Sequence, residues 1–145
     1  MPQQFLCANH RQWLSADMNM AKWYYLKWVA IANNYVERGR YREALPFWGC
    51  SYELAGLLLN ASVGGLSQSI HRYAEAVQGL INTYYALADD GTAESLRVTA
   101  SSRLAQQLPN SELYDQIALS IQALYMPASE SEGIEPSKMH ARRLQ

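Results

Sequence analysis

The sequence predicts an all-α fold of about five helices arranged as antiparallel hairpins, on three observations. Apolar residues recur at three- and four-residue spacing along most of the chain, the period of helices with one buried face. The strongest pair of such runs, between Leu26 and Leu59, breaks only around Gly39, and helices joined by so short a turn fold back on each other. At 145 residues and 49% hydrophobic, the chain suffices for one compact domain and is too short for two substantial ones. The expected domain is residues 1–126, followed by a mobile tail over 127–145.

Residues 1–14 offer Phe5, Leu6, Trp13 and Leu14 as docking groups, which suits either a short helix or an extended segment laid on the domain. Ser15 or Asp17 supplies the cap for a first long helix at about 17–37. Its apolar face carries Trp28, Ile31, Ala32 and Tyr35, and Trp23, Tyr24 and Tyr25 make it aromatic on more than one side. Gly39 closes it, because a residue without a Cβ adopts the left-handed conformation at no steric cost. A second helix, about 41–59, is read from Tyr41, Ala44, Leu45, Trp48, Tyr52 and Ala55, with a bend expected at Pro46.

The turn containing Gly64 and Gly65 precedes a third helix at about 66–88, with Ser67 as its expected cap. Its stripe of Ile70, Tyr73, Val77, Leu80, Ile81 and Tyr84 is the most regular in the chain. Gln68, Arg72, Glu75, Gln78 and Asn82 form the opposite, polar face. Asp89 and Asp90 read as turn formers and Thr92 as the cap of a fourth helix at about 93–107. Pro109 ends that helix, and Asn110 or Ser111 caps a fifth at about 111–125. Beyond Met126 the apolar content is too low to offset the entropy of ordering the backbone.

Trp28, Ile31, Ala32, Tyr35, Gly39, Tyr41, Ala44 and Trp48 together resemble a tetratricopeptide repeat, in which small residues let paired helices approach and bulky ones fill the flanks. The resemblance covers about one repeat, residues 26–59. A degenerate second copy around Tyr84, Gly91, Leu96 and Ala100 would extend it into a short solenoid. It implies a concave surface lined by the first helix of each pair and binding of a partner protein rather than catalysis. On this chain that surface would offer Lys27, Ala30, Asn34 and Arg38, with Asn34 placed to bond an extended backbone and the two cations to meet carboxylates.

Composition limits the alternatives. Twelve basic and 13 acidic residues leave a net charge of -1, so there is no basic field of the kind that dominates nucleic-acid affinity. Arg38, Arg40 and Arg42 flank the first turn but alternate with Glu37 and Glu43, the pattern of a solvated turn. Two cysteines, Cys7 and Cys50, make no disulfide framework, and a reducing cytoplasmic setting is the expectation. No run approaches the roughly 20 apolar residues of a membrane span. His10, His71 and His140 are far apart, so no metal site is expected, and no glycine loop suggests a phosphate-bearing cofactor.

The aromatic surplus is the best functional signal. One small domain buries a limited number of such rings, and Trp and Tyr lose little entropy for the area they cover. Trp23, Tyr24 and Tyr52, with Lys27, Asn34 and Arg38, are therefore the expected partner-binding residues. The function expected is an adaptor, chaperone-like or regulatory module that takes a peptide or helix in an aromatic-lined groove and is able to self-associate. A small helical enzyme or ligand-binding domain is the alternative, followed by a nucleic-acid-associated regulator.

Overall fold

The computed structural model describes residues 4–109 and 111–126. Six α-helices lie within them: α1 (Ala8–Ser15), α2 (Met18–Glu37), α3 (Tyr41–Asn60), α4 (Leu66–Ala86), α5 (Asp90–Ala105) and α6 (Tyr114–Leu124), with a 3₁₀ turn at Ser111–Leu113. Each helix packs on its neighbours in the chain, and α6 also reaches α4, the pattern of a short helical solenoid. The expected tail over 127–145 lies outside the described residues.

The expected count of about five helices is one short, because residues 8–15 form α1. Its apolar signal is weak, since only Leu14 within it is buried. Besides Leu6 and Leu14 in the core, polar contacts hold this segment: the Glu53 carboxylate of α3 accepts from Phe5 N–H at 2.6 Å, Leu6 N–H at 3.0 Å and the Arg11 guanidinium at 2.6 Å. One acidic side chain thus satisfies the N-terminal backbone and fixes where α1 sits.

Asp17, one of the two expected caps of α2, does cap it by accepting from Met20 N–H. The later helix starts correct their expected caps. Asp89, not Thr92, caps α5, with Thr92 supplying the N–H that it accepts. Ser67 does not cap α4, which starts after Gly65 without a side-chain cap. Instead the Ser67 hydroxyl bonds to Gln116 of α6 at 2.8 Å. Leu113 stands at the N-cap of α6, also without a side-chain bond.

The ends of α2, α3 and α4 share one device. At the end of α2, Arg40 N–H donates to Tyr35 C=O and Gly39 N–H to Val36 C=O, which is the paired bonding of a Schellman cap. Val63 to Leu58 with Ser62 to Leu59, and Asp89 to Tyr84 with Ala88 to Tyr85, repeat it after α3 and α4. The left-handed positions are Gly39 (φ 73°), Ser62 (φ 50°) and Ala88 (φ 64°). The equivalent of Gly39 in the second helix pair is therefore Ala88, and Gly91 lies inside α5. An alanine in that conformation carries a steric cost that glycine lacks, partly offset by glycine's larger unfolded-state entropy. Ala88→Gly is expected to stabilise the domain by about 0.5 kcal/mol, read as a higher urea midpoint at unchanged slope.

The core runs along the stripe Ala44, Trp48, Ser51, Ala55 and Leu58 of α3, all buried between α2 and α4. Ala32 of α2 has no exposed surface either. Trp48 lies against Gly79 of α4, and the Phe5 ring covers Gly49. Pro46 leaves α3 unbroken: it points to solvent, as does Arg42, whose carbonyl loses its helical donor. Arg72, on the polar face of α4, is turned into the protein rather than to solvent. It is buried, and its guanidinium reaches Val63 C=O at 3.0 Å and Gln68 Oε1 at 3.2 Å, tying the α3–α4 turn to α4.

Candidate functional site

Helix α2 presents two adjacent lines of residues. Trp23, Lys27, Ala30, Asn34 and Arg38 follow one another at helical spacing and are all exposed. Beside them Tyr24, Trp28, Ile31 and Tyr35 are half-buried. Four of the six expected partner-binding residues thus share one exposed line, and Tyr24 adjoins it.

Helix α1 adds rings that the sequence did not assign to this face. His10, Trp13, Tyr24 and Trp28 form a closed cycle with centroid separations of 5.9 Å (His10 to Trp13), 5.9 Å (Trp13 to Tyr24), 5.3 Å (Tyr24 to Trp28) and 6.5 Å (Trp28 to His10). Trp23 joins edge-on to Tyr24 at 4.9 Å. These separations and tilts are those at which aromatic quadrupoles attract, so the rings hold one another in place. The Lys27 ammonium lies 5.0 Å from the Trp23 centroid and 5.9 Å from that of Tyr24, a cation held over two aromatic faces. Trp13 is nevertheless 47% exposed and Trp23 55% exposed, with Leu26 beside them at 58%.

Further along α2, Ala30, Ile31, Asn34, Tyr35 and Arg38 line an open depression of roughly 420 Å³. Arg40 lies over the Tyr35 ring, and its guanidinium, though exposed, is engaged by Glu43 at 2.6 Å; Arg38 and Arg42, also exposed, enter no ion pair among the described residues. Glu43 in turn holds the Arg40 pKa above its ordinary value through that hydrogen bond.

Tyr52 lies apart from this face, tilted against Tyr73 at 5.8 Å in the contact between α3 and α4. Tyr85 and Tyr125 flank the guanidinium of Arg97, at 5.6 and 5.4 Å, while Arg97 Nε donates to Leu124 C=O at 2.6 Å and Glu94 pairs with the same guanidinium. That cluster fastens α6 to α4 and α5 at one wall of a recess of roughly 490 Å³. The recess shares Gln78 and Asn82 with a second one, roughly 340 Å³, which Asn33 and Val36 of α2 complete. On this side of α2 it is Asn33, not Asn34, that faces α4.

The remaining chemical groups are sparse. His71 is exposed on α4. Among the described residues no three His, Cys, Asp or Glu side chains converge to hold a metal, and no helix is long and apolar enough to cross a membrane. Cys50 is half-buried, and burial pushes its thiol up to about 11, so little thiolate forms at neutral pH. An aromatic disulfide reagent at pH 7 is expected to label exposed Cys7 promptly and Cys50 only on addition of denaturant. Two rapid equivalents would show that α3 is open at Cys50.

The fold and this face define a class: an all-helical domain of consecutively packed helices with an aromatic cluster on its surface. No protein-family model matches the chain, and comparisons with characterised proteins and with solved structures return no match.

Proposed function

We propose that the protein is a cytoplasmic protein–protein interaction module rather than an enzyme, and that it docks a peptide or helix of its partner on the aromatic face of α2. The aromatic cycle with its exposed tryptophans carries the reading. Large rings already ordered by their neighbours lose little further entropy on binding, and apolar rings beside a cation offer both an anchor and a charge. Asn34 and Arg38 extend the same line and supply a hydrogen-bonding amide and a second cation.

The resemblance to a tetratricopeptide repeat enters here as well. We read α2 with α3 as an antiparallel hairpin of that kind and α4 with α5 as a degenerate copy. The matched caps support this, as does the placement of a fully buried alanine, Ala44 and Ala93, at the same distance beyond each cap.

Trp23→Ala, and separately Lys27→Glu with Arg38→Glu, should reduce partner capture by about tenfold or more while leaving the thermal midpoint within a few degrees. Exposed side chains contribute little to stability and central anchors much to binding. Undiminished capture of an identified partner by both variants would show that the face is misassigned.

A further inference from the structure

The large exposed apolar side chains of the described residues sit at the two ends of the helix order. Trp13, Trp23 and Leu26 belong to α1 and α2, and Val98, Tyr114, Leu119 and Tyr125 to α5, α6 and the residue after it. Helices α3 and α4, packed on both sides, carry none. In a stack of helices the terminal faces lack a neighbour, and what they expose is what a further helix would cover.

The two ends differ in charge. Lys27 and Arg38 are exposed on the α2 line, beside which Glu37 is an acid only at the far end of the helix, and neither cation enters an ion pair among the described residues. Residues 111–126 contain Glu112 and Asp115 and no lysine or arginine. On α6, Asp115 and Leu119 are four residues apart and both exposed, Leu119 at 64%. On α2, Trp23 and Lys27 are also four apart, in the opposite order of apolar and charged. Four residues advance a helix by about 6 Å. Laid antiparallel, the two helices bring Leu119 onto Trp23 and Asp115 onto Lys27 together, whereas a parallel arrangement puts the carboxylate on the indole.

We infer that the occupant of the α2 face is α6 of a second copy of this chain, docked antiparallel so that copies join head to tail. The inference rests on the α2 face being a docking face, as proposed above, and names what fills it. Such a contact is heterologous: the assembly retains one unused face at each end, so association continues with concentration unless a ring closes.

Sedimentation velocity of the full chain, taken up to about 1 mM, where even a millimolar contact is about two-fifths formed, tests this. The expected result is an average mass that climbs above the 16.4 kDa of one chain as concentration rises. Trp23→Glu, which blocks the α2 face, and Leu119→Glu, which blocks the α6 face, should each remain monomeric. Mixed in equal amounts they should form a one-to-one heterodimer and nothing larger, since one intact face of each kind remains. If Trp23→Glu fails to fold, Lys27→Asp should weaken association about fivefold or more, and Asp115→Lys in the same chain should restore it. A wild type that stays monomeric, association that survives Leu119→Glu, or variants that do not complement each other would overturn the inference. If the wild type is monomeric and Trp23→Ala still loses a foreign partner, the docking reading stands and only its occupant is wrong. If Trp23→Ala affects neither, both fail.

Discussion

Ala44→Trp is expected to lower the thermal midpoint by about 10 °C or more, or to leave no cooperative transition at all, because overpacking a well-filled core costs several kcal/mol and each kcal/mol shifts a domain of this size by a few degrees. Ala44 has no exposed surface and lies one turn before Trp48 on the buried stripe of α3. The space around it is closed on both sides, since α3 packs on α2 and on α4. An indole there has no route to solvent and must push one helix away from α3. That displacement would also disturb Ala32 and the Tyr35–Phe47 stack, whose centroids are 5.9 Å apart. Thermal melting followed by circular dichroism checks it. An unchanged midpoint would mean that Ala44 is not at a closed contact between helices.

How far the fold could be read from the sequence follows from what each residue's position depends on. The stripes of α3 and α4 were legible because periodic apolar residues determine a buried face without reference to anything distant. That of α2 was misplaced: its buried line is Ala21, Tyr25, Val29 and Ala32, and of the expected face only Ala32 belongs to it, because a helix aromatic on more than one side does not mark which side is buried. Helix α1 was legible only as one of two alternatives for residues 1–14, since its place depends on Glu53, far away in the chain, which accepts the N–H groups of Phe5 and Leu6. Arg72 was legible only as part of a polar face, because its neighbours at helical spacing are polar. A long side chain with a carbonyl in reach can be buried all the same, and Val63 provides that carbonyl. Ala88 was invisible as a cap because the signal sought there was glycine, and a nearby Gly91 drew the assignment. The exposed line from Trp23 to Arg38 was legible as helical spacing. The contribution of His10 and Trp13 to the same face was not, because it passes through α1 and hence through Glu53.

Glycine to alanine should have opposite signs at two positions of this chain. Gly91 is exposed inside α5, with nothing within 4 Å of the Cβ that alanine would add and no positive φ. Gly91→Ala should therefore stabilise, by up to about 1 kcal/mol and less so close to the helix start, by removing backbone freedom from the unfolded chain. At Gly79 the same Cβ would stand 2.6 Å from Trp48 Cδ2, Cε2 and Cε3, well inside van der Waals contact. Those atoms belong to the fused part of a buried indole, which cannot yield as the end of a flexible chain would. The ring must tilt or α4 must move from α3, and the cost, about 2–3 kcal/mol, outweighs the gain in helix propensity. Gly79→Leu should cost more again, enough to threaten a stability that for domains of this kind totals about 5–15 kcal/mol. Paired urea titrations of Gly79→Ala and Gly91→Ala measure the difference directly, since the intrinsic effect of adding a methyl group to a helix is similar in both. Midpoints shifted upward in both variants would show that Trp48 is free to move off Gly79, and that the contact between α3 and α4 is not closed there.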